Sequence, residues 1–376
     1  MNNYFDNAAT SFPKPIAVGK ETLRYLEELG GPYGRSFYAR ALEVSRTVEA
    51  CRDLLGERLS TASPENIVFT ANATQAINTV LKGLDTAGRE IWISQLEHNA
   101  VTRPLKQLER TSGITIKTLP SLPGGLVDTE KLSQTDLSNA ALIVLCHESN
   151  VTGLIQPAAE IKKAAGRVPV LIDAAQSAGL IPINADKWNI DYLAFTGHKG
   201  LLGPTGTGGL FMKDCESLRP LINGGTGSKS DSWETPSFMP DKFEAGTPNI
   251  SGIFGLFGAL TTVPEPRHSR DDFFRLLDGA ADIPGIQVQA SPDRTRQGEV
   301  FSITADFASP SEIGRMLYED FGMETRIGLH CAPLAHSSIG TFPGGTVRLA
   351  PSVYHSPADL DRLLYALGSA ALKLRR

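Results

Sequence analysis

The chain has 376 residues, of which 41% are hydrophobic and 20% are charged, and its formal net charge is −5. This composition is typical of a folded globular protein and excludes an intrinsically disordered chain. The slight acidic excess, without long basic runs, leaves no electrostatic footprint for a nucleic acid or an anionic membrane. The length predicts two domains, or one large domain with a smaller companion.

The N-terminal residues have no basic stretch followed by an apolar one, so we expect no signal peptide. No apolar run approaches the roughly 20 residues of a membrane span. The four cysteines lie far apart without a CxxC pair, which excludes a disulfide framework and argues against a structural zinc site. We therefore expect a cytoplasmic protein.

Short apolar runs alternate with stretches of helical periodicity from residue 41 to residue 195. In chain order these are a helix at 41–55, a strand at 66–69, a helix at 77–84, a strand at 90–94, a helix near 100–111, and apolar runs at 114–119, 141–146, 168–173 and 191–195. Nearly continuous apolar strands between helices are typical of a parallel sheet that is covered on both faces. In such sheets ligands bind at the carboxyl ends of the strands.

A second region follows residue 263. It has predicted strands at 299–305, 323–327 and 346–350, a helix at 311–321 and a final helix with an apolar stripe. We predict an α/β protein with a large, mainly parallel sheet domain at 14–262. Residues 1–13 and 263–376 would form a small α+β domain. The glycine-rich, polar stretch at 224–248 predicts a functional or mobile loop.

The strongest local pattern lies where the strand at 191–195 ends in Thr196, His198 and Lys199 and enters a glycine-rich turn. A lysine at a strand end is placed to form a Schiff base, and a dry site would lower its pKa. The alternative is an ordinary exposed loop lysine.

Asp173 ends the apolar run at 168–173, and Gln176 follows closely. A lone buried carboxylate is costly unless a cation meets it. A protonated pyridine nitrogen would supply that cation, as in pyridoxal phosphate enzymes. An N-cap of the following helix is the alternative, and it is compatible with this role.

Three further strand ends carry residues of suitable chemistry. Ala73 and Thr74 follow the strand at 66–69 at a predicted helix N-terminus, where free N–H groups favour a phosphate. His98 follows the strand at 90–94 and could lie over an aromatic ring, and Asn150 could donate to a phenolate oxygen. The simpler interpretation of Thr74 is an ordinary N-cap of the following helix, and the simpler interpretation of His98 is a structural histidine.

Together these features resemble the cysteine desulfurases, aminotransferase-like enzymes of pyridoxal phosphate fold type I. The resemblance covers essentially the whole chain. The stretches that carry it are Tyr4–Thr10, the Asp173 and Lys199 segments, Phe243–Asn249, Arg326–Ala332 and Thr346–Arg348. One departure is the stretch from 249 to 284, which looks short because residues 263–267 interrupt a normally long connecting helix.

The resemblance implies pyridoxal 5′-phosphate as cofactor, L-cysteine as substrate and a homodimer with a protein sulfur acceptor. It implies Lys199 as the Schiff-base lysine, Asp173 on the ring nitrogen and His98 over the ring. It also implies Gln176 and Asn150 near the phenolate oxygen of the cofactor. The residues implied at the cofactor phosphate are Ala73, Thr74, Thr196, His198 and a partner's Thr247. The residues implied around the substrate are Arg348, Asn7 and Arg326, with Arg348 binding the substrate carboxylate.

Cys331 is the cysteine best placed for chemistry. It lies in a loop after His330, where exposure and a nearby imidazole could favour the thiolate, whereas Cys51 and Cys146 fit packing positions. A metal site formed by His330, Cys331 and His336 is the rival, and it lacks further ligands at sensible spacing. We therefore expect no metal.

The resemblance implies that Cys331 attacks the sulfur of L-cysteine and becomes a persulfide while alanine is released. A selenocysteine lyase or a direct cysteine β-lyase would share Lys199 and Asp173 without needing Cys331. A catalytically idle cofactor-binding scaffold is a third possibility. The pathway that receives the sulfur, such as iron–sulfur cluster assembly, stays open.

Overall fold

The computed structural model describes residues 3–34 and 36–375. The α-helices in these residues are α1 Ile16–Arg24, α2 Ala39–Leu59, α3 Ala73–Gly83, α4 Asn99–Ser112, α5 Thr129–Ser133, α6 Ala158–Ala165, α7 Ile250–Thr261, α8 Arg270–Ala281, α9 Pro310–Phe321, α10 Pro333–Ser338 and α11 Pro357–Leu374. The strands are β1 Ile67–Thr70, β2 Glu90–Ile93, β3 Thr115–Thr118, β4 Ala140–Cys146, β5 Val170–Asp173, β6 Tyr192–Thr196, β7 Gly208–Met212, β8 Ile286–Gln289, β9 Phe301–Ala305, β10 Arg326–Gly328 and β11 Thr346–Leu349.

The larger sheet has seven strands in the order β1-β7-β6-β5-β4-β2-β3. Neighbours from β6 to β3 pair in parallel, whereas β7 is antiparallel to both β6 and β1. Strand β1 therefore runs in the same direction as β2 to β6. The carboxyl ends of these strands share one edge of the sheet, which confirms the predicted α/β fold class with a mainly parallel sheet.

Strand β4 shows why this sheet is buried on both faces. All seven of its residues are buried. Ile143 and Leu145 pack in one apolar core, while Leu142 and Val144 pack in the core on the opposite face. Side chains alternate across a strand, so an unbroken apolar run requires cover on both sides.

A smaller antiparallel sheet has the order β10-β11-β9-β8. Helices α8, α9 and α11 share its apolar core, and Phe5 from the N-terminal segment is buried in that core. Bridges join Tyr4 to Glu324 and Asp6 to Ala350. The N-terminal segment therefore packs with the C-terminal third of the chain. The domain boundaries stay predictions.

The sequence pattern does not predict β7 or β8. Strand β7 starts with Gly208 and Gly209, and glycine is depleted in strands. Glycine is needed at 209 because a side-chain carbon there would lie 2.3 Å from the ring of Phe195. Close packing between neighbouring strands therefore outweighs local propensity.

The interruption between α7 and α8 agrees with the sequence. Helix α7 ends at Thr261 and α8 begins at Arg270, with Pro264 and Pro266 between them. Proline lacks the N–H that would continue a helix. Ser269 and Asp272 then form a capping box at the start of α8. None of the helices in the described residues has the length and apolar content needed to cross a membrane.

Candidate active site

A cavity of about 260 Å³ opens at the carboxyl edge of the larger sheet. Residues from β4, β5, β6 and the N-terminus of α3 line one side, and residues from β10, β11 and the loop after β10 line the other. The predicted site residues in its wall are Ala73, Thr74, His98, Asn150, Asp173, Gln176, Thr196, His198, Lys199, Arg326, Cys331 and Arg348. Twelve of the fourteen site residues predicted from the sequence therefore line one cavity.

Asp173 ends β5 and is directly opposite Cys146 of β4 and Ala194 of β6. Its carboxylate accepts a hydrogen bond of 2.9 Å from the backbone N–H of Ala175. Burial raises the pKa of Asp173, and that hydrogen bond and the charge of Lys199 act against the rise. A buried acid with one backbone donor is suited to meet a cationic ring nitrogen.

The Lys199 side chain reaches the cavity from the turn after β6. Burial, followed by the charge of Arg348, lowers the pKa of Lys199 to about 8. In the part of the chain that the structure describes, its amine has no hydrogen-bond or ion-pair partner. More of this amine is uncharged near neutral pH than for an ordinary lysine, which favours imine chemistry.

His98 is fixed in one tautomer by its position as the N-cap of α4. Its Nδ1 accepts a hydrogen bond of 3.0 Å from the backbone N–H of Ala100. Burial, then the charge of Lys199, lowers the pKa of His98 to about 4. The ring is therefore neutral at physiological pH, with its hydrogen on Nε2.

Helix α3 begins at the cavity wall with Ala73 and Thr74, and Asn72 caps it by accepting a hydrogen bond from Gln75. Nearby, the Nδ1 atom of His198 is buried and has no hydrogen-bond partner in the described residues. A helix N-terminus with an unsatisfied imidazole nitrogen beside it can hold an anionic group such as a phosphate.

Two arginines stand side by side on the opposite wall. Arg326 of β10 is directly opposite Arg348 of β11 in the antiparallel register. Arg348 is 2% exposed; its Nη2 contacts Asp6 Oδ1 at 2.7 Å, and its Nη1 donates to the carbonyl of Asn150 at 3.2 Å. Burial lowers the pKa of Arg348, and Asp6 opposes this effect. The pair can bind a carboxylate.

The loop that carries Cys331 is held in an unusual conformation. His330 and Cys331 both have positive φ, at 48° and 58°. The side-chain amide of Asn150 donates to the His330 carbonyl, and the backbone N–H of Asn99 donates to the Cys331 carbonyl, both at 2.7 Å. Cys331 is exposed, whereas burial raises the pKa of the Cys51 and Cys146 thiols. Such strain persists where surrounding contacts fix it.

The likeness to known proteins extends over nearly the whole chain. The model of a family described as aminotransferase class-V matches residues 3–363. The chain belongs to this family.

Similar proteins carry a consistent description. The chain is 31% identical to a probable cysteine desulfurase of Methanothermobacter thermautotrophicus, over 96% of this chain and 92% of that protein. It is 30% identical to the cysteine desulfurase CsdA of Escherichia coli, over 98% and 93%. It superimposes on the apo structure of a cysteine desulfurase from Thermococcus onnurineus NA1 with a TM-score of 0.90 and 26% identity, over 98% and 94%.

Two of the predicted site residues lie outside the cavity. The Asn7 amide donates to the carbonyls of Tyr4 and Ala350 and accepts from the N–H of Phe12, so it holds the N-terminal segment and lines a neighbouring crevice. Thr247 lines a separate surface cavity. Asn7 is therefore committed to backbone contacts, and Thr247 does not reach the cavity of its own chain.

Several residues that line the cavity or hold its side chains were not assigned to the site from the sequence. Asp6 holds Arg348, His330 contacts Thr346, and Glu148 lines the cavity with a buried carboxyl group. Glu148 lies between Cys146 and Asn150, so its place after β4 was a usable sequence feature. Within the described residues no group of three or more His, Cys, Asp or Glu side chains could hold a metal ion.

Proposed function

We propose that this member of the aminotransferase class-V family is a pyridoxal-phosphate-dependent cysteine desulfurase, which converts L-cysteine to L-alanine and leaves a persulfide on Cys331. The observation that carries the proposal is that one cavity is lined by Lys199, Asp173, Arg348 and Cys331. These side chains supply an amine, a ring-nitrogen partner, a carboxylate receptor and a nucleophile. The names of the similar proteins point to the same reaction.

The residues present fit the cofactor. The N-terminus of α3 and the unpartnered Nδ1 of His198 suit its phosphate, with Thr74 and Thr196 beside them. Asp173 suits the ring nitrogen, and Lys199 suits the aldehyde. When bound, pyridoxal phosphate supplies an electron sink for negative charge that develops at the substrate Cα.

Lys199 moves the proton in this proposal. Its amine has a pKa of about 8, so it can take a proton from the substrate Cα on Nζ and return it later. The neutral His98 ring, with its hydrogen on Nε2, is a second candidate donor. Gln176 is held by a hydrogen bond of 3.0 Å to the Ala8 carbonyl, which orients its side chain in the wall.

Substrate binding is assigned to the arginine wall. Arg348 offers a planar guanidinium fork to the carboxylate of L-cysteine, and Arg326 adds a second positive charge nearby. Burial of Arg348 strengthens this charge-assisted contact because little water competes for the guanidinium. The bound carboxylate thereby fixes the direction of the substrate thiol.

Cys331 completes the reaction. Its thiolate attacks the substrate sulfur, so that a sulfur–sulfur bond forms while the bond between the substrate sulfur and Cβ breaks. The electron pair of the broken bond stays with the carbon fragment, which takes up protons and leaves as alanine. L-cysteine and the enzyme thiol are thus converted to alanine and an enzyme persulfide, without an external oxidant.

The experiment is to incubate the purified, cofactor-supplemented protein with L-cysteine and to measure alanine together with the mass of the Cys331 peptide. We expect alanine and one added sulfur atom on that peptide. Cys331→Ser should lose both, and Lys199→Ala should form no alanine. Undiminished alanine release by Cys331→Ser would overturn the persulfide step and leave a β-lyase, and parallel assays with L-selenocysteine would identify a selenocysteine lyase. Absence of alanine from the unmodified protein would leave a scaffold.

We also propose a homodimer, because Thr247 lies outside the cavity of its own chain and a partner's copy could supply a phosphate contact. Exposure of Cys331 supports delivery of the sulfur to a protein acceptor. Iron–sulfur cluster assembly in the cytoplasm is the proposed setting. Size-exclusion chromatography with light scattering tests the dimer, and transfer of labelled sulfur tests the acceptor.

A further inference from the structure

Lys14 is a half-buried cation beside the active site that has no role in the proposed reaction. Its Nζ atom donates to the Ser11 hydroxyl at 2.7 Å and to the backbone carbonyl of His198 at 2.8 Å. Within residues 3–34 and 36–375 this ammonium has no ion pair. Removing a cation from water without a counter-ion is costly, so its position next to the catalytic turn calls for a function.

The carbonyl of His198 is the point where the N-terminal segment meets the turn that carries Lys199. Besides the ammonium of Lys14, it accepts from the backbone N–H of Ser11 at 3.0 Å, the Ser11 hydroxyl at 3.1 Å and the Thr10 hydroxyl at 3.2 Å. The ammonium is the charged donor of these four and the nearest, and charge-assisted hydrogen bonds are the stronger ones. Because the peptide group is planar, holding this oxygen also holds the Cα atom of Lys199.

The hydrogen bonds within the turn leave this carbonyl for an outside donor. The N–H of Gly203 donates to the Gly197 carbonyl at 2.8 Å, and the N–H of Leu202 donates to the Lys199 carbonyl at 2.9 Å. The carbonyls on either side of His198 are therefore used inside the turn. The N-terminal segment supplies the donors for the carbonyl between them, as buried backbone groups require.

The other side of the turn packs closely against the segment after β5. A side-chain carbon on Gly200 would lie 2.5 Å from the carbonyl oxygen of Ala178, and one on Gly179 would lie 2.6 Å from the backbone of Gly200. The turn is therefore held between this segment and the N-terminal segment. Loss of a donor from the N-terminal segment would weaken the support on one of these two sides.

The N-terminal segment also contacts the arginine wall. Asp6 pairs with Arg348 at 2.7 Å, and Lys14 follows Asp6 by only eight residues in the sequence. Between them, the carbonyl of Ala8 accepts a hydrogen bond of 3.0 Å from the Gln176 amide. One short stretch of chain thus contacts both the arginine that we assign to the substrate carboxylate and the turn that carries the reacting amine.

We propose that Lys14 is a positioning residue for Lys199: its ammonium holds the His198 carbonyl and thereby sets the place of the Lys199 amine relative to the arginine wall. This inference rests on the proposed function because it takes Lys199 as the reacting amine. It predicts that the turn opens more readily when the ammonium is removed. The amine should then become more accessible without a change in its proton affinity, because no hydrogen bond joins the two lysines in the described residues.

The test measures the turn directly and does not depend on desulfurase activity. The full-length chain is freed of cofactor with hydroxylamine, and hydrogen–deuterium exchange of residues 197–203 is followed by mass spectrometry at pH 7. Lys14→Met keeps the length of the side chain but removes its charge and its donors, so we expect about three- to tenfold faster exchange. Reductive methylation of Lys199 between pH 6 and pH 10 should become faster with an unchanged pH midpoint. Lys14→Arg keeps the charge and the donors and should restore both measurements.

Lys242→Met is the matched control. Its ammonium is also half-buried and donates to a backbone carbonyl, that of Cys215 at 2.6 Å, but it does not line the cavity. We expect wild-type exchange of residues 197–203 in this variant. Unchanged exchange in Lys14→Met, an equal rise in Lys242→Met, or a failure of Lys14→Arg to restore the exchange would overturn the proposal. A rise of the same size in residues 286–305 of Lys14→Met would also overturn it, because it would show a general loss of stability.

Ser11→Ala keeps the test decisive if Lys14→Met folds poorly. This variant removes the hydroxyl that accepts from the ammonium and donates to the His198 carbonyl, but it leaves the backbone N–H contact of residue 11 in place. We therefore expect a smaller rise in the exchange of residues 197–203, of about two- to threefold. Unchanged exchange in Ser11→Ala would contradict a role of this contact network in holding the turn.

Steady-state kinetics of the cofactor-loaded protein add a second readout. Lys14→Met should lower kcat for alanine formation by about three- to tenfold, because the displaced amine meets the substrate Cα less well. KM for L-cysteine should stay within about twofold, because Arg348 keeps its contact with Asp6. A rise in KM with unchanged kcat would contradict the positioning role. If the exchange responds as expected but the unmodified protein forms no alanine from L-cysteine, only the proposed function fails.

Discussion

Asp6 and Arg348 form an ion pair across the seam between the N-terminal segment and β11, with 2.7 Å between Oδ1 and Nη2. The guanidinium is buried, and the second carboxylate oxygen of Asp6 lies 3.9 Å from Arg326. The N-terminal segment therefore sets the direction of the arginine that we assign to the substrate carboxylate. Because Asp6 neutralises one of the two arginines, this wall of the cavity keeps one net positive charge, which matches the single negative charge of a carboxylate.

The first prediction concerns Asp6→Asn. This variant keeps the shape of the side chain but weakens its hold on Arg348, so we expect KM for L-cysteine to rise about tenfold with kcat within about twofold of wild type. The added positive charge should also strengthen competitive inhibition by L-aspartate, which carries a second carboxylate. Steady-state kinetics measure both effects.

Asp320→Asn is the control for that experiment. Asp320 pairs with Lys373 at the same 2.7 Å, but this pair is exposed and distant from the cavity lining. Exposed pairs contribute little, so its kinetics should match wild type. A fall in kcat of Asp6→Asn without a change in KM would contradict the assigned role of Asp6.

The residues that end buried strands were the ones predictable from the sequence. Asp173 and Lys199 follow apolar runs whose length and composition predict parallel strands, and parallel strands bring their carboxyl ends to one edge. The loop position of Cys331 singled it out among the cysteines, but its place in this site and the role of Arg348 could be assigned only through the resemblance, because nothing local shows that the smaller sheet faces the larger one. Strand β7 escaped prediction because Gly208 and Gly209 are needed for close contacts with Asn72 and Phe195, which only the fold brings together.

Other features depend on contacts between distant segments and have no local pattern. The Glu148 carboxyl group fills a space that Gly298 leaves open from a distant segment of the chain, because a side-chain carbon on Gly298 would lie 2.1 Å from Oε1. The family resemblance implies that Asn7 lies around the substrate, but its amide hydrogens are donated to the carbonyls of Tyr4 and Ala350. In both cases the contacting residues determine what the side chain does, and only the folded structure shows which residues these are.

The second prediction concerns the loop that presents Cys331. His330 is bonded through Nε2 to the hydroxyl of Thr346 at 2.9 Å, and it precedes the nucleophile in the same left-handed stretch. Thr346→Val keeps the volume but removes the hydroxyl, so we expect faster hydrogen exchange in residues 328–336. Persulfide formation should slow by about three- to tenfold, because each strained residue needs its anchoring contacts.

Thr346→Ser retains the hydroxyl and should restore both measurements to near the wild-type values. Hydrogen–deuterium exchange read by mass spectrometry locates the effect, and single-turnover labelling of Cys331 gives the rate. Unchanged exchange in Thr346→Val would show that the Asn99 backbone N–H and the Asn150 side-chain amide hold the loop without the Thr346 hydroxyl.

The third prediction concerns stability in acid. His147 is buried against Ser177, with 2.8 Å between Nδ1 and Oγ, and burial lowers its pKa to about 4 from an ordinary 6.5. Between these values the unfolded chain binds a proton that the folded chain does not. Stability therefore falls as pH drops from 6.5 towards 4, by up to about 3 kcal/mol for this residue.

Urea unfolding of wild type and His147→Gln at pH 4.5, 5.5 and 7 measures this effect. We expect the variant to be less stable at pH 7, because the glutamine packs less well beside Trp188. Its loss of stability on acidification should be smaller than that of wild type. Parallel pH curves for the two proteins would show that His147 does not contribute to the acid response.

The last prediction concerns the loss of folding stability as the pH rises. Burial raises the pKa of Glu97 to about 8 from an ordinary 4.5, despite hydrogen bonds from Ser94 and from the N–H of Cys146. Between these values the folded chain holds a proton that the unfolded chain has released. The contribution of Glu97 to stability is thus complete below pH 4.5 and is lost as pH rises through 8.

Glu97→Gln cannot ionise, so its urea midpoint should fall less than that of wild type between pH 6 and 9. Because Glu148 adds a loss of the same sign, the slope should be reduced and not abolished, whereas an unchanged slope would mean that Glu97 is already ionised in the folded protein.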